Sequence, residues 1–138
     1  VIQTTDVEAA RLRDAQMRER PQVITTPQPL LGPGAHDGTA LAGQIGEQPV
    51  LGDGTRLDDR VGYRYALLVD PAWPVPDTGP EVVVVPADSA EARDWLARLQ
   101  AGAVLLRPDR YVAGTAQQPA GLDHLLHRVP AAPVELPA

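Results

Sequence analysis

Cysteine is absent from the 138 residues, which excludes disulfides, thiolate metal sites, thiol redox exchange and cysteine nucleophiles. Lysine is absent too, so all 12 basic residues are arginines. They are scattered along a chain of net charge −6. Binding several phosphates requires a clustered basic face, so nucleic acid is not an expected partner. No apolar stretch reaches the roughly 18 residues of a membrane span, and no basic segment followed by an apolar run opens the chain as in a signal peptide. The expectation is a cytoplasmic protein that does not contact a membrane. The chain begins with Val1 rather than Met and enters a polar helical pattern at once, which suggests a piece of a longer polypeptide.

The apolar content, 43%, suits a single domain with a modest core. Asp6 to Arg20 is rich in helix formers, is opened by Thr5 or Asp6 as N-cap and is stopped by Pro21. Val7, Ala10, Leu12, Ala15 and Met17 form no wide stripe, so this helix needs a partner. From Pro21 to Gly46, proline, glycine and threonine predominate, as in an extended linker crossing a surface. Gly32-Pro33-Gly34 superficially suggests a phosphate loop. It has no strand-to-helix setting, however, and Pro33 removes an N–H donor, so an ordinary turn is expected.

The folded part is expected to begin near Glu47. Gly52-Asp53-Gly54 predicts a tight turn in a short strand pair. Leu57 to Val61 reads as one helical turn closed by Gly62, and Tyr63 to Val69 as a buried strand. Glu81 to Val85 predicts a second buried strand. Ser89 caps a helix through Leu99, with Ala92, Trp95, Leu96 and Leu99 on one face. Ala103 to Leu106 and Tyr111 to Ala113 form a hairpin across Arg107-Pro108-Asp109-Arg110, and a last helix is expected from Pro119 to Arg128. This order predicts an α/β thioredoxin-like sandwich, a central mixed sheet flanked by helices, with an N-terminal helix and an extended linker. The expected partition is 1–20 helix, 21–46 linker, 47–130 thioredoxin-like domain and 131–138 tail.

In redox-active sandwiches of this kind the reactive thiol follows the first central strand. Here that place reads Val69-Asp70-Pro71-Ala72-Trp73-Pro74-Val75-Pro76, so thiol chemistry is excluded. Trp95 is expected in the core. Trp73, with Pro74 and Pro76, is the candidate interface for another domain or subunit. His124, His127 and Asp123 lack a convergent further ligand, since only His36 remains, in the linker. Asp58 and Asp59 complement a helix dipole. Ser89, Glu91, Tyr63, Tyr65 and Tyr111 give no Ser-His-Asp order. No catalytic, cofactor or metal residue is assigned. A free-standing cysteine-less binding module using the Trp73 loop, or a free-standing enzyme, remains an alternative at this level.

Several stretches resemble one family. They are Ala42-Gly43-Gln44, Pro49-Val50-Leu51, Asp53 through Asp59, Gly62, Ala66-Leu67-Leu68, and the hairpin Leu105 to Gly114. Together, from Ala42 to Val129, they resemble the C-terminal domain of class A flavoprotein aromatic hydroxylases, which include phenol hydroxylase and 3-(3-hydroxyphenyl)propionate hydroxylase. The resemblance implies a parent monooxygenase that uses FAD and NAD(P)H to hydroxylate a phenolic substrate, here of the 3-(3-hydroxyphenyl)propionate type. It also implies that the cofactor and substrate sites lie upstream and that this domain serves packing and homo-oligomerisation. None of the family's catalytic motifs falls in this chain. Arg110 stands where the family's turn commonly has glycine. If the position requires positive φ, arginine there costs on the order of 1 kcal/mol.

Overall fold

The computed structural model describes residues 5–19, 27, 29–34 and 36–131. The elements in chain order are α1 (Val7–Glu19), α2 (Leu57–Val61), β1 (Tyr65–Val69), β2 (Val82–Pro86), α3 (Ala90–Arg98), β3 (Ala103–Leu106), β4 (Val112–Ala116) and α4 (Leu122–Leu126). A 3₁₀ turn over Pro119–Gly121 leads into α4. The strands form one mixed sheet in the order β2-β1-β3-β4. β1 runs parallel to β2, and β3 is antiparallel to both β1 and β4. The architecture is α/β.

β1 and β3 are the central strands, which is why YALLV and AVLL can be apolar on both faces. One face carries Ala66, Leu68, Val85, Val104, Leu106 and Val112 against Trp95 and Leu96 of α3 and Leu57 and Val61 of α2. The other carries Leu67, Val69, Leu105 and Ala113 against Leu122 and Leu125 of α4, with Trp73 and Val75 packed alongside. The Ser89 hydroxyl accepts the Ala92 N–H at 3.1 Å, the expected N-cap of α3.

Several elements differ from expectation. Glu81 to Val85 was expected to be buried, but β2 is an edge strand in which only Val85 is buried. The edge position also accommodates Pro86, which has no N–H to offer a neighbour. The turn at 52–54 is present, with Leu51 N–H on the Thr55 carbonyl at 2.8 Å. Its flanks, however, make only the single bridge Val50–Arg56 rather than a strand pair. Tyr63 lies outside β1 and is 97% exposed. The final helix is shorter than Pro119 to Arg128 because its first turn is 3₁₀.

α1 forms where expected, and the Asp6 carboxylate accepts the Glu8 N–H at 2.9 Å. The helix buries none of its residues. Residues 21–26, 28 and 35 of the expected linker lie outside the described residues, as do 1–4 and 20 of the expected helix and 132–138 of the expected tail. Its later part runs along the outer edge of β4. Asp37 N–H donates to the Ala113 carbonyl at 2.8 Å, Gly43 N–H to Val112, Val112 N–H to Gln44, and Gly46 N–H to Arg110. The pairing of β3 with β4 shifts register between Leu105 and Leu106. Ala113 is the additional residue at this bulge, and its carbonyl receives Asp37.

Candidate functional site

The polypeptide leaves β1 at Asp70 and reaches β2 through a loop that carries no helix. Prolines at 71, 74, 76 and 80 explain this, since they remove the N–H donors a helix would need. The loop is fixed at its base. Asp70 N–H donates to the Gly102 carbonyl at 2.8 Å, Trp73 N–H to the Asp70 carbonyl at 3.0 Å, and the Asp70 carboxylate accepts the Ala72 N–H at 2.9 Å.

Trp73 is half-buried, Pro76 is half-buried and Pro74 is exposed. The indole lies against Gly102, where an added Cβ would overlap the ring. Part of the Trp73 surface therefore seals the second core cluster, and part remains open beside Pro74. Trp95, by contrast, is a core residue at 3% exposure. A cleft of about 310 Å³ adjoins the loop, lined by Asp70, Pro71, Ala87, Arg93, Leu96 and Ala101 among others.

The other residues considered from sequence are dispersed. His36 lies outside the sheet, its Nε2 at 2.9 Å from the Gly32 carbonyl and its Nδ1 accepting the Gly38 N–H. His127 bonds back to the Asp123 carbonyl through Nδ1 at 2.5 Å. No group of three or more potential metal ligands converges among the described residues. Asp58 pairs with Arg110, whose guanidinium also donates to the carbonyls of Gly62 and Arg64. The adjacent groove between Gly62–Tyr63 and Pro108–Arg110 measures about 400 Å³. At the turn near residue 53, hydrogen bonds from the Thr55 hydroxyl and N–H, followed by the Arg60 charge, hold the Asp53 carboxyl below its ordinary range.

Among the described residues, the sheet forms no strand–turn–helix cradle of the dinucleotide-binding kind between its parallel strands. The parallel connection from β1 to β2 has no helix whose N-terminus could receive a pyrophosphate. α3, which follows β2, presents Asp88 and Glu91 there. Their carboxylates accept the N–H groups of Gly52 at 2.8 Å and Val50 at 3.0 Å. No described helix is long and apolar enough to cross a membrane.

Comparison with known proteins extends these observations. Residues 69–132 match the HcaD C-terminal domain family. A curated relative, 3-(3-hydroxy-phenyl)propionate/3-hydroxycinnamic acid hydroxylase 1 of Burkholderia vietnamiensis, is 34% identical over 123 residues. That match covers 62% of this chain and 20% of the relative. The chain thus spans about a fifth of the length of that enzyme. Among solved structures, chromopyrrolic acid-soaked RebC-10x with bound 7-carboxy-K252c aligns at TM-score 0.53 and 18% identity, over 87% of this chain and 26% of that one. This likeness concerns the fold. OxyS anhydrotetracycline hydroxylase from Streptomyces rimosus aligns over 88% of this chain and 27% of its own, with 19% identity and TM-score 0.46. By these two matches, the chain is similar to the HcaD C-terminal domain and to part of a 3-(3-hydroxy-phenyl)propionate/3-hydroxycinnamic acid hydroxylase.

Proposed function

We propose that this chain is the non-catalytic C-terminal domain of a cytoplasmic flavin-dependent monooxygenase that hydroxylates a phenolic acid of the 3-(3-hydroxyphenyl)propionate type. The observation that carries the reading is the 34% identity to a fifth of such a hydroxylase, confined to a piece with no dinucleotide cradle among its described residues. FAD and NAD(P)H then belong to upstream domains of the same polypeptide. The role of this piece is to pack on those domains and to support homo-oligomerisation. Residues 1–20 are the end of the preceding catalytic region, 21–46 the linker, 47–130 the domain proper and 131–138 a tail.

The thioredoxin-like assignment is supported by the strand order β2-β1-β3-β4 with β3 against the rest, and by α3 and α4 on opposite faces. It departs from a redox sandwich where a proline loop replaces the helix that would carry the thiol. Trp73, Pro74 and Pro76 are the proposed contact with the catalytic body. The open side of a half-buried tryptophan is well suited to interface burial.

The test begins with the reading frame that encodes this chain. Purified protein from the longest such frame is expected to be yellow and to couple NAD(P)H oxidation to hydroxylation of 3-(3-hydroxyphenyl)propionate, whereas the 138-residue chain is expected to be colourless. A frame that encodes no flavin region, or a colourless long protein that binds no FAD, overturns the reading and favours a free-standing binding module.

A further inference from the structure

Asp70 and Arg93 line one cleft, at the carboxyl ends of β1 and β2 where α3 packs over the sheet. Neither forms an ion pair among the described residues, with each other or with any other group. Each is nonetheless held in place. Asp70 accepts the Ala72 N–H through Oδ1 at 2.9 Å, which leaves Oδ2 without a hydrogen bond among the described residues. Arg93 donates from Nε to the Ala87 carbonyl and from Nη2 to the Asp88 carbonyl, both at 3.2 Å, and Nη1 makes no such bond. Ala87, Leu96, Ala97 and Ala101 supply the apolar lining.

The place and size suit a small ligand. The cleft of about 310 Å³ is at the lower end of the roughly 300–1,000 Å³ typical of such sites. It opens beyond β1, from which the chain passes to β2 on one side and later, through α3, to β3 on the other. The carboxyl ends of the parallel pair β1 and β2 and the amino end of the antiparallel β3 meet there. The charges restrict the chemistry further. A simple anion would face Asp70 and a simple cation would face Arg93. A hydrocarbon would desolvate both without replacing their hydrogen bonds.

We infer that this cleft binds a small hydroxy acid, with its carboxylate on Arg93, its hydroxyl donating to Asp70 and its apolar body over Leu96, Ala97 and Ala101. Side chains already fixed by backbone bonds lose little freedom when they receive it. The choice of an aromatic hydroxy acid rests on the proposed hydroxylase reading, and the charge pattern does not.

The test is an NMR titration of the 138-residue chain with 3-(3-hydroxyphenyl)propionate, 3-phenylpropionate and 6-hydroxyhexanoate. Saturable shifts at the amides of Ala87, Ala97 and Ala101 are expected with the first compound. Affinity should fall roughly tenfold in Arg93→Gln, and by a similar factor when the ligand hydroxyl is removed. In Asp70→Ala, removing the ligand hydroxyl should have little further effect, because the two changes break one contact. Ala97→Leu fills the cleft without altering either charge and should abolish binding even if Arg93→Gln perturbs folding. Binding of 6-hydroxyhexanoate alone would overturn the aromatic assignment and keep the cleft. No saturable shift with either hydroxy acid up to about 10 mM, a ceiling corresponding to only a few kcal/mol, overturns the site itself. Flavin content of the longer protein is measured independently, so that reading and this one can fail separately.

Discussion

Arg110 occupies the left-handed region at φ 68°, the condition under which the arginine was expected to cost about 1 kcal/mol relative to glycine. Its side chain, 15% exposed, spans Asp58, the Gly62 carbonyl and the Arg64 carbonyl, and its own carbonyl receives Gly46. One residue therefore joins the β3–β4 turn, α2, the entry to β1 and the segment along β4. A charged side chain bonded at this many points offsets a strained backbone, since each bond to a charged group contributes about 1.5–3 kcal/mol. Arg110→Gly relieves the backbone and loses the clamp, whereas Arg110→Ala loses the clamp and keeps the strain. Urea unfolding is expected to rank native above Arg110→Gly and Arg110→Gly above Arg110→Ala, the last two separated by about 1 kcal/mol. An Arg110→Gly variant more stable than the native chain would show that the clamp contributes nothing net. The turn itself was legible from Pro108, whereas positive φ at Arg110 was raised only by the family resemblance, which puts glycine at that position. The clamp was not legible, because Asp58, Gly62 and Arg64 meet the turn only through the tertiary fold.

At the scale of elements, α3 and β3 were legible because they are locally consistent. Ser89 caps, Ala92, Trp95 and Leu96 recur at helical spacing, and AVLL is short and apolar throughout. β2 has the same kind of apolar sequence, yet it lies at the edge; strand order, rather than periodicity, decides that. The segment at 37–46 was legible as irregular chain crossing a surface. Its attachment to β4 uses backbone groups, which leave no side-chain pattern to read. The proline loop after β1 was likewise plain, whereas the contact of Trp73 with Gly102 and the common cleft of Asp70 and Arg93 depend on elements far apart in the chain. Gly102→Ala tests the loop's packing. The new methyl requires the Trp73 ring to move, so a loss of about 1–3 kcal/mol and a red-shifted tryptophan emission are expected. Unchanged emission and stability would mean that the indole does not rest on Gly102.

For the whole molecule, the sheet domain and α1 are expected to behave differently. Leu67, Leu68, Leu105 and Leu106 are fully buried on β1 and β3, so their amides should exchange only on global unfolding. α1 buries nothing, and Val7, Leu12 and Met17 are 65%, 58% and 58% exposed. Helices shorter than about 12–15 residues are marginal in water without packing, and α1 has 13. Its amides should therefore exchange orders of magnitude faster than those of β3 in the 138-residue chain. If residues 1–20 are the end of a catalytic region, the same amides should become protected in the proposed longer protein, where the apolar side chains of α1 would gain a surface to cover. Hydrogen–deuterium exchange of both proteins, followed by mass spectrometry of peptides spanning 7–19 and 103–106, measures this directly. Equal protection of α1 and β3 in the short chain would mean that the helix is stable without upstream chain, and the assignment of residues 1–20 to a preceding region would lose its physical basis.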